Sequence, residues 1–377
     1  MTSEQVRLLV DASPLAAERL TGVGHVLLET LRALEAAHRR GDVDVILFVP
    51  ASERRAVASI GLPFSVRGIP LPRRLVGLLT RTSVPLDPFV GRGVYFFPNY
   101  RNWALTRHSR GITFVHDACF AVAPELVPAD RRALLRARMP GWLSRSDLVA
   151  TGTPSAAAEI VEHLGVERDR VVILPTTVDA SVFRRRAAAE VAAVRARVGV
   201  GVDRYLLFVG AVEPRKNVAA LVRAFAAAER PRATTLLIVG ATSWDDDDVR
   251  RAVDEAVTAG ADVRLSPVFV EDAEMPALMT GADALALVSL HEGFGLPALE
   301  AVATGTPVVV SDIPGIRDAL RGHESAAEFV PLHDERALRR ALESVLAHPR
   351  HVEAGRVRPW SDAAESLVRA AQGLVES

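Results

Sequence analysis

Residues 205–228 read YLLFVGAVEPRKNVAALVRAFAAA. The run Tyr205–Val209 is apolar on both faces and too short for a helix, so it reads as a strand buried inside a sheet. Gly210 permits a tight exit. From Val218 to Ala228 the large apolar residues Val218, Leu221, Val222 and Phe225 recur at helical spacing. Strand, glycine turn and helix make the elementary step of an α/β fold. The same step recurs downstream, with strands at Thr235–Val239, Asp262–Leu265, Ala284–Val288 and Pro307–Ser311 and helices at Asp246–Thr258 and Pro297–Ala303. Upstream, strands are expected at Val6–Asp11, Val43–Val49, Val94–Phe97, Gly111–Val115, Leu148–Thr151 and Val171–Leu174. Helices are expected at His25–Ala37, after a Thr21–Gly24 loop, and at Arg131–Leu143 and Ser155–Leu164. An Ala/Arg-rich helical connector, Thr177–Val200, separates the two series. The pattern predicts two doubly wound parallel-sheet domains with ligands at the C-terminal strand edges. Two such sheets facing each other would frame an interdomain cleft.

Composition agrees. A chain of 377 residues suits two domains, and 49 % hydrophobic residues can fill two cores. The formal net charge of -1 excludes a nucleic-acid binder held by bulk positive charge. No apolar run reaches the roughly 18 residues of a membrane span. The opening MTSEQVRLLVD has no basic start, so it reads as a first strand rather than a signal peptide. Cys119, the one cysteine, allows neither an internal disulfide nor a cysteine-based zinc site. A cytoplasmic location is the default. The acidic run Asp245–Asp248 reads as a solvated turn that opens a helix, since four adjacent aspartates cannot converge on one ion.

The chemistry concentrates in two loops of the second half. All cations but one among the 45 Lys and Arg are arginine, and the single lysine is Lys216. It follows Arg215 and precedes Asn217, a candidate N-cap of the next helix. Two cations at a helix start, with its dipole and exposed N–H groups, suit a di-anion such as pyrophosphate. A solvated surface pair is the bland reading. The second loop, HEGFGLPALE at 291–300, follows the strand Ala284–Val288. Glycines flank Phe294, so backbone can approach a ligand closely. Glu292 lies in the loop and Glu300 in the helix that Pro297 opens. Each carboxylate can accept paired hydroxyls of a sugar or ribose, or can be a solvated charge.

VGAVEPRKNVAALVRAFA together with HEGFGLPALEAVATGTPVVVSDIPGIRD resembles the retaining family 4 glycosyltransferases of the GT-B fold. Glu292 and Glu300 match that family's Glu-x7-Glu signature, and Arg215-Lys216-Asn217 its phosphate-binding element. The likeness is specific over Tyr205–Leu320. It is looser at the Thr21–Gly24 loop, at His116-Asp117, over Pro175–Phe183, and at Pro359-Trp360-Ser361 with the helix that follows. The resemblance implies α/β architecture with two Rossmann-like domains, at residues 1–182 for the acceptor and 183–358 for the donor. It also implies a last helix at 359–377 that crosses back to the first domain. Implied too is retaining transfer of a sugar, by mild preference mannose, from a nucleoside-diphosphate donor, with no metal and no other cofactor. Lys216 and Arg215 would bind the diphosphate and stabilise the leaving group. Glu292 would hold sugar hydroxyls and Glu300 the ribose. Backbone N–H groups of Phe294, Gly295 and Leu296 would touch diphosphate and sugar, and Val268 and Val270 would flank the base. His116 would contact the donor sugar, and Gly24 would let the first loop near the phosphates. Two departures stand out: Thr176-Thr177 replaces the family's Asn-Gly, and Ala211 stands where many relatives carry Arg.

The expected partners are a nucleotide-sugar donor and a glycan, lipid-linked or small-molecule acceptor. Two basic apolar segments, Pro72–Arg81 and Arg131–Arg145, suit an anionic membrane surface at the inner face, or simply cover the core edge with arginine stems. The rivals are a sugar-nucleotide epimerase of the same fold and a non-catalytic two-lobed sugar-nucleotide-binding protein.

Overall fold

A computed structural model of the chain describes residues 5–71, 73–80, 82–201, 203–231, 233–240, 247–353 and 357–376, with the side chains of residues 73 and 74 excepted. Two compact units emerge: residues up to Thr176 joined by those from Pro359 on, and Thr177–Arg358. The division falls a few residues before the 182/183 boundary expected.

The first unit holds β1 (Val6–Asp11), β2 (Val43–Pro50), β3 (Ser65–Ile69), β4 (Val94–Phe97), β5 (Arg110–Phe114), β6 (Leu148–Thr151) and β7 (Val171–Ile173), in the order β3-β2-β1-β4-β5-β6-β7. The second holds β8 (Arg204–Val209), β9 (Thr234–Val239), β10 (Asp262–Leu265), β11 (Ala284–Leu287), β12 (Val308–Ser311) and β13 (Ala327–Val330), in the order β10-β9-β8-β11-β12-β13. Every ladder within both sheets is parallel, β1 on β4 and β8 on β11 included. The order reverses between β1 and β4 and between β8 and β11. Those reversal points are where an open α/β sheet leaves a crevice at its carboxyl edge. Central strands are buried on both faces, as four-residue ALAL and VVVS show.

The edge strands β3 and β13 and the helix Glu335–Ala347 are additions to the expected elements. β3 and β13 have mixed burial and little apolar signal. The helix declares itself through Asp334, whose side chain accepts from the Ala337 N–H at 2.8 Å. Two expectations change. The Thr21–Gly24 stretch is not a loop: Thr21 is the N-cap of the helix Gly22–Arg40. The connector Thr177–Val200 is helical only over Ala188–Arg197. Its first part turns at Asp179, whose carboxylate accepts from the Ser181 N–H at 2.8 Å, so local side-chain bonding displaces the helix. In the acidic run, Asp245 and Asp246 lie outside the described residues, and the helix Asp247–Thr258 follows.

The helix Ser361–Glu376 buries Ala363, Ala364, Leu367, Val368 and Ala371 and packs against Gly22–Arg40 within the first unit. Among the described residues, no helix is long and apolar enough to cross a membrane.

Candidate active site

The two loops singled out in the second half leave β8 and β11, neighbours in the sheet, at their carboxyl ends. Adjacency in the sheet therefore brings together residues far apart in sequence. The Leu290 N–H donates to the Arg215 carbonyl at 2.7 Å, so the loops are joined through backbone as well.

The first loop opens the helix Val218–Ala227 with Asn217 at its N-cap, as expected, and adds a turn before it. Pro214–Lys216 forms a single 3-10 turn, and Asn217 follows it in the left-handed region at φ 55 with no side-chain capping bond. Asn tolerates that conformation better than most residues. The N–H groups of Lys216 and Asn217 are taken by the carbonyls of Glu213 and Pro214, and the helix Val218–Ala227 starts after them.

Lys216 is buried, and its Nζ donates to Glu292 Oε1 at 2.5 Å. Arg215 Nη1 donates to Glu292 Oε2 at 2.9 Å, and Ser289 Oγ donates to Glu292 Oε1 at 2.7 Å. Arg215 Nε also pairs with Glu213 Oε1 at 2.5 Å. Burial alone would raise the Glu292 pKa. The charges of Lys216 and Arg215 and the hydrogen bonds from Lys216 and Ser289 outweigh it and bring it to about 2. Glu292 is therefore ionised at any ordinary pH. Gly315 packs its backbone directly on the Glu292 carbonyl, where a Cβ would overlap the oxygen.

Glu300 sits in the helix Leu296–Ala303. Desolvation raises its pKa to about 8, with the Asp272 charge adding in the same direction. Glu292 and Glu300 thus lie on different elements, as expected, but in opposite electrostatic settings. Gly295 caps the helix at φ 96, and Phe294 and Leu296 beside it are partly buried. In the loop after β10, Val270 is buried, whereas Val268 is exposed.

In the first unit, His116 follows β5, and its Nε2 lies 3.0 Å from the Pro98 carbonyl, which places the proton on Nε2. Burial lowers its pKa, against the opposing pull of that carbonyl and of Asp117. Gly24 lies in the first turn of its helix, packed on its own chain: a Cβ there would sit 3.1 Å from Leu20 Cδ2 and 3.3 Å from the Pro14 carbonyl. Thr177 is buried and donates through Oγ1 to the Arg358 carbonyl at 2.7 Å, and the Thr176 N–H donates to the Gly152 carbonyl at 3.2 Å. The departure from Asn-Gly thus installs a hydroxyl tie.

Sequence reasoning missed two members of the cluster, Ser289 and Glu213. Ser289 offers little signal, being one serine at a strand end. Glu213 stands two residues before Arg215, but a charge pair at that spacing is usually solvated. Of the two basic segments, Pro72, Arg81 and the side chains of Arg73 and Arg74 lie outside the described residues. The rest of that segment meets the other one where Arg145 Nη1 donates to the Thr80 carbonyl at 3.2 Å. On the helix Ala129–Ser144, Arg131, Leu134 and Arg136 are exposed.

The family model for glycosyl transferases group 1 matches residues 195–358, nearly all of the second unit. The chain is 28 % identical over 229 residues to the O-antigen chain mannosyltransferase B of Escherichia coli, covering 60 % of this chain and 59 % of that protein. It is 29 % identical to the D-inositol 3-phosphate glycosyltransferase of Nocardia farcinica, covering 96 % of this chain and 87 % of that protein. Among solved structures, Anabaena Alr3699/HepE in complex with UDP and glucose superposes with a TM-score of 0.65 at 16 % identity, over 99 % of this chain and 98 % of that one. The order of both sheets and the superposition agree on the GT-B fold, and within it residues 195–358, which carry the Lys216 and Glu292 loops, match the group 1 glycosyl transferases.

Proposed function

We propose that the chain transfers a sugar from a nucleoside-diphosphate donor to a glycan, lipid-linked or small-molecule acceptor, with retention at the anomeric carbon and without a metal ion. The observation that carries this reading is the buried Lys216 beside Arg215, held by Glu292 at the switch point of the second sheet. When the bond from the anomeric carbon to the diphosphate oxygen breaks, the electron pair stays on that oxygen. Lys216 and Arg215 meet the growing negative charge, the task a divalent cation performs elsewhere. The acceptor hydroxyl forms the new bond on the same face of the sugar, and its proton passes to the leaving phosphate.

A carboxylate offers about four lone-pair sites, and hydrogen bonds from Lys216, Arg215 and Ser289 occupy three on Glu292. Its first task is then to orient the two cations, with one site left for a sugar hydroxyl. Glu300 is assigned to the ribose, Val268 and Val270 to the base, and the backbone at Phe294, Gly295 and Leu296 to diphosphate and sugar. His116 and Gly24 keep the donor-side roles that the resemblance implies. Mannose is the favoured sugar, after the name of the Escherichia coli relative.

The test is a thermal-shift panel of UDP, GDP, dTDP and ADP with their sugars. One nucleotide series must raise the melting temperature, since a ligand of the native state alone stabilises it. No shift with any of them overturns the reading. Product anomer by NMR tests retention, and unchanged turnover in EDTA tests metal independence. Rearranged donor without an acceptor would mark an epimerase instead.

Peripheral contact with an anionic membrane belongs to the same proposal, through the arginines of Ala129–Ser144. Flotation with phosphatidylglycerol-rich liposomes, but not with neutral ones, is expected. Absence of flotation removes it.

A further inference from the structure

We infer that Glu213 is a positioning residue that trades donor affinity for turnover. The inference rests on the reading of Lys216 and Arg215 as the diphosphate site. Glu213 and Glu292 hold the Arg215 guanidinium by two different edges: Nε pairs with Glu213 Oε1 at 2.5 Å, and Nη1 with Glu292 Oε2 at 2.9 Å. A guanidinium gripped at two edges cannot rotate out of its plane, so its direction is set before a ligand arrives. Glu292 alone cannot do this, because its other oxygen serves Lys216 and Ser289.

The same arrangement has an electrostatic cost. Two cations, Arg215 and Lys216, face two carboxylates, Glu213 and Glu292. An incoming diphosphate meets a cluster whose formal charges cancel. Of the two acids, Glu292 is the buried one with three donors. Glu213 is partly accessible and is carried on the same short turn as the cation it holds. Its charge therefore opposes the diphosphate, while its grip serves the transition state. These two effects have opposite signs in binding and in rate, which separates them from plain structural damage.

The experiment compares wild type, Glu213→Gln and Glu213→Asp. Calorimetry reads the affinity for the nucleoside diphosphate found in the panel, and nucleotide release from its sugar donor reads kcat. Glu213→Gln is expected to bind the diphosphate about 3- to 10-fold more tightly, since one opposing charge is gone. Its kcat should fall by about 10- to 100-fold, the scale of a misdirected catalytic group. Glu213→Asp keeps the charge but shortens the reach, so its affinity should match wild type while kcat falls. Unchanged kcat in Glu213→Gln, or weaker binding, overturns the inference alone. A wild-type chain that binds no nucleotide or releases none overturns the functional reading and this inference together.

Discussion

Replacing Glu292 by Gln removes one charge and almost no volume from the centre of the site. In the wild type both carboxylate oxygens are engaged, by Lys216 and Ser289 at Oε1 and by Arg215 at Oε2. Gln keeps one acceptor but turns an N–H group toward the other donor. Lys216 is left buried against a neutral amide. The pKa of Glu292 falls from 4.5 to about 2 on folding. At about 1.4 kcal/mol per unit, the ionised form is favoured in the native state by about 3 kcal/mol. Breaking one side of a buried pair costs about 3–5 kcal/mol, which agrees. Because the folded pKa is the lower one, this stability is complete above pH 4.5 and is lost as pH falls toward about 2. Glu292→Gln should therefore melt roughly 6–12 °C below wild type at pH 7, the scale expected for a unit of this size. The gap should stay level from pH 8 to pH 5 and narrow below 4.5. Melting followed by circular dichroism across that range is the assay. A variant within about 1 °C of wild type at pH 7 would refute the argument that the cluster is a buried, charge-selective unit.

Three other substitutions probe the surroundings, and a fourth, in the other unit, serves as a control. Lys216→Ala should lower turnover by roughly 100-fold or more, the scale of losing one preorganised electrostatic group, as read by nucleotide release. Glu300 has its folded pKa raised to about 8, so the native state holds its proton longer than the unfolded chain and loses stability as pH rises from 4.5 toward 8. Glu300→Gln should accordingly melt above wild type at pH 8.5 or so, and nucleotide affinity in the wild type should change through about pH 8 and in the variant not at all. Gly315→Ala would place a methyl on the Glu292 carbonyl, so it should lose about 2 kcal/mol or more in urea denaturation, whereas Gly22→Ala, with open space around it, should not.

The regular part of the fold was legible because the central strands are short, wholly apolar runs punctuated by glycine. Tyr205–Val209 is buried end to end or nearly so, and no helix of that length could hide it. The edge strands β3 and β13 escaped notice because their burial is mixed and neither forms a continuous apolar run. At the site, the sequence supplied residue types but not their contacts. Asn217 does stand at the N-cap of the helix Val218–Ala227, but in the left-handed region its side chain makes no capping bond, which the sequence could not show. For Gly24 the sequence offered a ligand-facing reading, and the fold adds close packing on Leu20 and Pro14.

From its residues alone the chain specified two parallel α/β units, a lone lysine beside an arginine, and a pair of glutamates on a loop and the helix after it. Those are local matters of burial pattern and spacing. That Lys216 and Arg215 close on Glu292, and that Glu213 takes the other edge of Arg215, was decided by the tertiary fold. The pairing of β8 with β11 sets the two loops side by side, and burial then makes the charges choose one another over water.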